Sequence, residues 1–217
     1  CAGRTDAGVH ATHQVVHFDP GVSRSPKAWV LGCNMALPDT VSVSWAGPVT
    51  QAFHARFSAN ARRYRYLIHN SRHRPAIGSE LMLWRRELLD EVAMHRAAQS
   101  ILGERDFTSF RAAGCQSRTP MRRVMACSVD RHIDLVVIDV VANAFLHHMV
   151  RNLTGSLLEV GAGRRTDTWM AELLAVKDRT QAAATAPPHG LYLVGVEYPP
   201  EFGLPPPKFP APAFLPV

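Results

Sequence analysis

The stretch RRYRYLI, residues 62–68, decides the fold because aromatic or aliphatic residues alternate with arginines. In an extended chain successive side chains point to opposite faces, so Tyr64, Tyr66 and Ile68 share one face. The intervening arginines fall on the opposite face. This period of two predicts a β-strand with one face turned toward a hydrophobic core.

The sequence that follows predicts the rest of one folding unit. A helix is expected from Asp90 to Leu102 with Gly103 as its stop, and a hairpin, two helices and a last strand follow. These later elements are Val124–Val129, Leu135–Val141, Met149–Val160, a helix starting at Thr166–Asp167, and Leu191–Tyr198. The order β-α-β-β-α-(α)-β is that of the split βαβ, or ferredoxin-like, arrangement.

The sequence that precedes residue 62 predicts part of a second such unit. Two strands are expected at Gln14–Phe18 and Val41–Trp45, with a helix starting at Ser25–Pro26 between them. The predicted fold class is therefore α/β (α+β), with two ferredoxin-like or RRM-like halves sharing a largely antiparallel sheet. The halves are expected at 1–57, incomplete, and 58–198. Residues 199–217 form a Pro-rich tail, with 8 prolines in 19 residues, that is expected to be extended and non-helical.

Composition restricts the class of protein. Of 217 residues, 47% are hydrophobic and 19% charged, which excludes a disordered acidic chain and allows a large core. No apolar run approaches the ~20 residues of a membrane span, so neither a membrane nor export is expected. The four cysteines show no CxxC spacing, which indicates reduced thiols in a cytoplasm.

The net charge of +6 is carried almost entirely by arginine, since only three lysines are present. Guanidinium groups suit phosphates and base edges, so a polyanionic partner is expected. The arginines at 62, 63 and 65 and the pair at 122 and 123 are either phosphate contacts or a solvated face, and we favour phosphate contact for some of them.

The segment GRTDAGVH, residues 3–10, has the features of a functional loop. Two glycines allow tight backbone conformations, and Asp6 lies between them with Arg4 two residues earlier. Asp6 is therefore a candidate functional carboxylate. The competing interpretation is an aspartate that only caps a turn.

Two other kinds of chemistry receive less support. Five histidines, at 10, 13, 17, 147 and 148, could supply a metal site, but their spacing matches no familiar ligand motif. No metal is therefore expected. Cys115 could be a nucleophile, yet nothing in the sequence fixes a histidine partner, and a structural thiol is the simpler interpretation.

Several long motifs carry a resemblance to a known family. GRTDAGVHA and QVVHF are followed by FHARFSANARRYRYLI, GERDFTSFRAAGCQSRTP, ANAFLHHMVRNLTGSLLEVG, KDRTQAAATAPPHGLYLVGV and the Pro-rich tail. In this order, over essentially the whole chain, they resemble the tRNA pseudouridine synthase A family. The resemblance implies an enzyme that isomerises uridines 38 to 40 in the tRNA anticodon arm to pseudouridine, without cofactor or metal, as a homodimer.

The resemblance also implies roles for individual residues. Asp6 matches the catalytic aspartate, and Arg151 matches the basic residue paired with it. Tyr64 matches a tyrosine that stacks on the target base and assists proton removal, and Leu191 matches an apolar residue beside that base. Arg4 matches an arginine suited to contact the RNA backbone and to occupy the space of the flipped nucleotide. Two routes are compatible with Asp6: a covalent bond to the substrate, or a glycal intermediate.

One departure from the family supports an alternative function. The family has a further strand, helix and strand before the loop of Asp6, whereas this sequence opens at Cys1 without an initiator Met. The chain is therefore expected to be a fragment. A catalytically impaired tRNA-binding fragment is the alternative, because an unanchored loop displaces a catalytic carboxylate.

Overall fold

The computed structural model describes residues 1–206. Its seven strands within this range are β1 His10–Ala11, β2 Ala61–Asn70, β3 Leu83–Arg85, β4 Gly103–Asp106, β5 Met121–His132, β6 Leu135–Ala142 and β7 Leu191–Glu197. Its four α-helices are α1 Pro26–Ala36, α2 Glu91–Gln99, α3 Met149–Gly161 and α4 Trp169–Val176. Single 3₁₀ turns lie at Thr108–Phe110, Arg179–Gln181, Pro188–Gly190 and Pro200–Phe202.

The described strands form one largely antiparallel sheet in the order β1-β7-β2-β6-β5-β4, with β3 paired to the end of β2. Strand β2 lies between β6 and β7, and both pairings are antiparallel. Only the short pairings β1–β7 and β2–β3 are parallel. The sub-order β7-β2-β6-β5 matches the ferredoxin-like unit, which confirms the predicted α+β class for this part of the chain.

The predicted alternation of buried side chains in β2 is confirmed. Tyr66 and Ile68 are fully buried in the main core, and Tyr64 retains 9% exposure. This core also contains residues of α2, α3 and α4, so the helices cover that face of the sheet. The other face carries a small cluster around Leu67 and Tyr192.

Two predicted strands are wrong. Gln14–Phe18 and Val41–Trp45 pair with no strand among the described residues. In the first, Val15 accepts one hydrogen bond from the Ala2 amide, at 2.8 Å, while Val16 and Phe18 are largely exposed. A strand requires backbone partners along its length, and alternation of residue types does not provide them.

The segment 41–45 is held by the Asn34 side chain instead of a neighbouring strand. The Asn34 side chain accepts from the Val43 amide at 2.6 Å and donates to the Val43 carbonyl at 2.9 Å. These bonds use the groups that a ladder would need. The predicted helix before it is confirmed: α1 begins after Ser25, whose hydroxyl accepts from the Ala28 amide.

Smaller corrections concern element ends. The predicted helix to Leu102 ends earlier, at Gln99, because Ser100 and Ile101 form a tighter last turn before Gly103 begins β4 with φ +85°. The tail is not wholly extended, since Pro200–Phe202 forms a 3₁₀ turn that Pro at its first position favours. The part of the predicted tail from 207 to 217 lies outside the described residues.

Candidate active site

The loop that carries Asp6 is anchored at both ends. At its start, Ala2 is buried, and the Gly3 carbonyl accepts from the Gln14 side chain at 2.7 Å. At its end, the Val9 amide donates to the Asp6 carbonyl at 3.0 Å. Gly8 has φ +79° within this turn, a conformation that glycine adopts at little cost. Asp6 therefore lies at the tip of a fixed turn that leads into β1.

A buried arginine holds the loop to β2. The Arg62 guanidinium donates to the Ala2 carbonyl from Nε and Nη2, at 3.3 and 3.1 Å. It also donates to the carbonyls of Ala59, at 3.1 Å, and Asn143, at 2.9 Å. Burial lowers the pKa of Arg62 from its ordinary value. Arg62 thus connects three chain segments next to the site.

Three side chains of one sequence motif face the Asp6 carboxylate. Oδ2 lies 3.1 Å from Nη1 of Arg151 and 3.1 Å from Nε2 of His148. Oδ1 lies 3.4 Å from Nε2 of His147. The carboxylate is partly exposed, at 32%, so a substrate can approach it. Arg151 donates a hydrogen bond to the carboxylate, and the two imidazoles lie within ion-pair distance of it.

Helix α3 and its docked segment position Arg151. Nε of Arg151 donates to the Ala186 carbonyl at 2.8 Å, and the Ala186 amide donates back to the Arg151 carbonyl at 3.1 Å. The close approach depends on Gly155, where a Cβ would lie only 2.0 Å from the Ala184 carbonyl oxygen. The guanidinium is therefore held from one side and offers Nη1 to Asp6.

The two histidines lie just before α3. His148 adopts a left-handed conformation, φ 59°, which a non-glycine residue rarely takes and which sets the direction of the helix. Burial lowers the pKa of His148, although the charge of Asp6 acts in the opposite direction. His147 is held through its backbone, since its amide donates to Sγ of Cys115 at 3.4 Å.

Tyr64 lies beneath the loop. Its ring packs edge to face against Phe145, with 4.9 Å between the ring centroids. A Cβ on Gly3 would lie 3.4 Å from the Tyr64 hydroxyl oxygen. Burial raises the pKa of Tyr64 to about 12, with the charge of Arg62 opposing the shift and that of Asp6 adding to it. The phenol is therefore protonated at neutral pH.

The other two residues predicted from sequence, Arg4 and Leu191, make no hydrogen bond to the Asp6 carboxylate. Arg4 is exposed and donates to Oε1 of Gln116 at 3.3 Å. Leu191 begins β7, pairs with Tyr66 in the sheet and is 6% exposed. The structure thus brings Asp6 and Arg151 into direct contact, while neither Arg4 nor Leu191 bonds to them.

Comparison with known proteins gives a consistent result. Residues 97–199 match a family model described as tRNA pseudouridine synthase. The tRNA pseudouridine synthase A of Shewanella amazonensis is 62% identical over 205 residues, which cover 94% of this chain and 78% of that protein. Those of Shigella boydii and Escherichia fergusonii are each 60% identical over 215 residues, 99% of this chain and 79% of each relative.

The chain belongs to the tRNA pseudouridine synthase A family. This confirms the resemblance that the sequence motifs carry, and it makes the chain an enzyme of the pseudouridine synthase class, an isomerase.

The contact of His147 and His148 with Asp6 is not predicted from sequence. From sequence, the two histidines are candidates only for a metal site, separate from Asp6. The available signal was their position, three and four residues before Arg151 in HHMVRN. The loop before α3 lies over Asp6. The Asp6 carboxylate therefore faces both histidines as well as Arg151.

Four of the five arginines predicted as phosphate contacts or a solvated face bind protein groups, and phosphate contact for some of the five stays a prediction. Arg62 and Arg122 are each 8% exposed and donate to protein groups. Arg63 and Arg65 both bind the Asp139 carboxylate, with nitrogen to oxygen distances of 2.8 and 2.6 Å. Arg123 remains exposed. Sequence alone does not distinguish an arginine that binds its own chain from one that binds a ligand, because the guanidinium offers the same hydrogen-bond donors in both cases.

Proposed function

We propose that this enzyme converts uridine to pseudouridine at positions 38 to 40 in the anticodon stem-loop of tRNA, with Asp6 as its catalytic nucleophile. The observation that carries the proposal is the partly exposed Asp6 carboxylate facing Arg151, His147 and His148. The relatives' names specify tRNA as their substrate.

The chemistry requires one carboxylate at the sugar. When the bond between ribose C1′ and uracil N1 breaks, positive charge develops at C1′, and the Asp6 carboxylate stabilises it. As the proposed nucleophile, Asp6 then forms an ester with C1′; in the alternative glycal route it instead takes the C2′ proton and returns it when C1′ bonds to C5. The uracil turns, C5 bonds to C1′ as the ester C1′–O bond breaks and releases the Asp6 carboxylate, and the proton lost from C5 is balanced by one gained at N1. Substrate and product contain the same atoms, so no co-reactant is required.

The neighbouring side chains hold the carboxylate in place. Arg151 is fixed to the Ala186 carbonyl and balances the charge of Asp6 from the protein side. Rate falls steeply when a reacting group is misplaced by about 1 Å, so this anchoring supports the proposed role. Asp6 and Arg151 are thus the proposed catalytic pair.

Tyr64, Arg4 and Leu191 are the proposed substrate-binding residues. Because the Tyr64 phenol stays protonated at neutral pH, it is a poor base, and we assign it to stacking on the extruded base. Arg4 is exposed beside the loop and suits the RNA backbone. Leu191 is assigned to apolar contact at the base.

Two further proposals concern assembly and location. We propose a homodimer, as the family resemblance implies, and sedimentation of the purified chain tests it.

We also propose that the protein is located in the cytoplasm, which is supported by its four free cysteines. Among the described residues, no helix has the length and apolar character to span a bilayer.

The test uses unmodified tRNA transcripts that carry a single uridine at 38, 39 or 40, with a matched transcript in which all three positions are cytidine. Pseudouridine is read by carbodiimide labelling and mass spectrometry. Turnover is expected on the uridine transcripts alone. Modification only elsewhere in the tRNA would contradict the assigned position, and tight binding without any turnover would favour the alternative, an impaired tRNA-binding fragment.

A further inference from the structure

Asp6, His147 and His148 bring three ligand-type atoms together on the surface of the site. One ligand atom of each residue, a carboxylate oxygen or a ring nitrogen, lies within 4.8 Å of the others. Their side chains are 32%, 43% and 28% exposed, so a dissolved ion can reach them. The two imidazole rings lie 3.9 Å apart, centroid to centroid.

The distances fit a tetrahedral ion. Zinc binds histidine nitrogen and carboxylate oxygen at about 2.0 to 2.2 Å, so two ligands of one tetrahedron are about 3.3 Å apart. Nε2 of His147 lies 3.4 Å from Oδ1 of Asp6, and Nε2 of His148 lies 3.1 Å from the other oxygen, Oδ2. Because the three ligand atoms already lie within 4.8 Å of one another, a small closure brings them to these distances, and the more exposed ring, His147, can move.

The backbone fixes both histidines independently of their rings. The His147 carbonyl accepts from the Ala112 amide at 3.1 Å, and the His148 carbonyl accepts from the Asn152 amide at 2.9 Å. Two imidazoles and one carboxylate, with a fourth position open to water, form a donor set that zinc prefers over magnesium.

We propose that Asp6, His147 and His148 form a zinc site whose occupation inhibits the enzyme. Arg151 opposes the ion, because its guanidinium lies 3.1 Å from one Asp6 oxygen. Zinc binding therefore weakens the Asp6–Arg151 pair and occupies the carboxylate. The inhibitory half of this inference rests on the proposed function, whereas the binding half does not.

Binding is tested by calorimetric titration of the metal-free protein with zinc, and by the visible absorption of cobalt(II) as a probe of tetrahedral geometry. One tight site per chain is expected. His147→Ala and His148→Ala should each weaken it by more than about tenfold, while His132→Ala, an exposed histidine at the end of β5, should not. Equal affinity in wild type and both site variants, or no tight site, would overturn the proposal.

Inhibition is tested by turnover with zinc, each variant being compared with its own zinc-free rate. The zinc concentration that halves turnover should rise in the two site variants in parallel with the calorimetric affinity, and a chelator should restore the wild-type rate. Full turnover of the zinc-loaded wild type would overturn the inhibitory half. An enzyme without turnover even free of zinc would count against the proposed function, and the binding experiment would still decide the site.

Discussion

At the scale of single residues, Arg62 decides whether the Asp6 loop has a fixed position. Its guanidinium is buried and spans the carbonyls of Ala2, Ala59 and Asn143. Removing one partner from such a set leaves the others buried without a hydrogen bond. In the sequence, Arg62 is one of several neighbouring arginines that suggest phosphate contact. Only the fold shows that Arg62 binds carbonyl groups of its own chain.

Arg62→Met should therefore lower the free energy of unfolding by about 3 kcal/mol, because several buried carbonyls lose their donor. Turnover at saturating tRNA should fall as well, since the loop of Asp6 is released. Urea unfolding and a rate assay measure the two effects. Arg63→Met is the matched control: its side chain is 42% exposed and Arg65 still binds Asp139, so a loss below about 1 kcal/mol is expected. Equal losses would contradict the anchoring role.

The site residues show how far sequence reaches at this scale. Asp6 and Arg151 are 145 residues apart, and only the family motifs paired them. His147 and His148 belong to the same motif as Arg151, yet their contact with Asp6 depends on the left-handed turn at His148. No local pattern encodes such a turn, because it is imposed by packing.

At the scale of elements, the long periodic segments could be predicted and the short extended ones could not. Helices α1 and α3 and the β5–β6 hairpin follow from apolar spacing, caps and turns. The predicted strands at 14–18 and 41–45 failed because a strand is defined by its neighbours. Alternation indicates which face is apolar but not which chain lies alongside.

The docking of α3 rests on one glycine. Gly155→Ala should destabilise the protein and lower turnover, since the new Cβ would collide with the Ala184 carbonyl and displace the segment that holds Arg151. Gly32→Ala in α1 is the control: nothing lies within 4 Å of its Cβ position, so a gain of up to about 1 kcal/mol is expected from helix propensity. Thermal unfolding and activity distinguish them, and a stabilised Gly155→Ala would refute this account.

At the scale of the whole molecule, burial is unevenly distributed. No residue from 3 to 52 is buried, whereas the part built on β2 carries the core. We propose the division into 1–57, 58–198 and a tail from 199 on this basis. Hydrogen exchange measured by mass spectrometry should be faster for amides in 16–50 than in β2, β6 and α3. Equal protection in both regions would contradict the division.

The core also makes stability depend on alkaline pH. Burial raises the pKa of the Cys127 thiol from 9.0 to about 12, with the charge of Asp139 adding to the shift, and burial raises that of Tyr64 from 10.0 to about 12. The unfolded chain releases these protons first. Their contribution to stability is thus complete below pH 9 and is lost as the pH rises toward 12.

The free energy of unfolding should accordingly fall between pH 9 and pH 11, by about 2 to 3 kcal/mol for Cys127 alone. Urea titrations at several pH values measure this slope. Cys127→Ala should reduce the slope and leave the contribution of Tyr64, and Cys33→Ala, at a half-buried position, is the matched thiol control. A slope that Cys127→Ala does not alter would show that the buried thiol is not its source.

The most direct test of the central claim is single-turnover formation of pseudouridine in tRNA by wild type, Asp6→Asn and the exposed control Asp19→Asn. We predict that Asp6→Asn retains its melting temperature and tRNA affinity but falls below about one thousandth of the wild-type rate, while Asp19→Asn matches wild type. Pseudouridine formed by Asp6→Asn at a rate near that of wild type would contradict the assignment of Asp6 as the catalytic nucleophile.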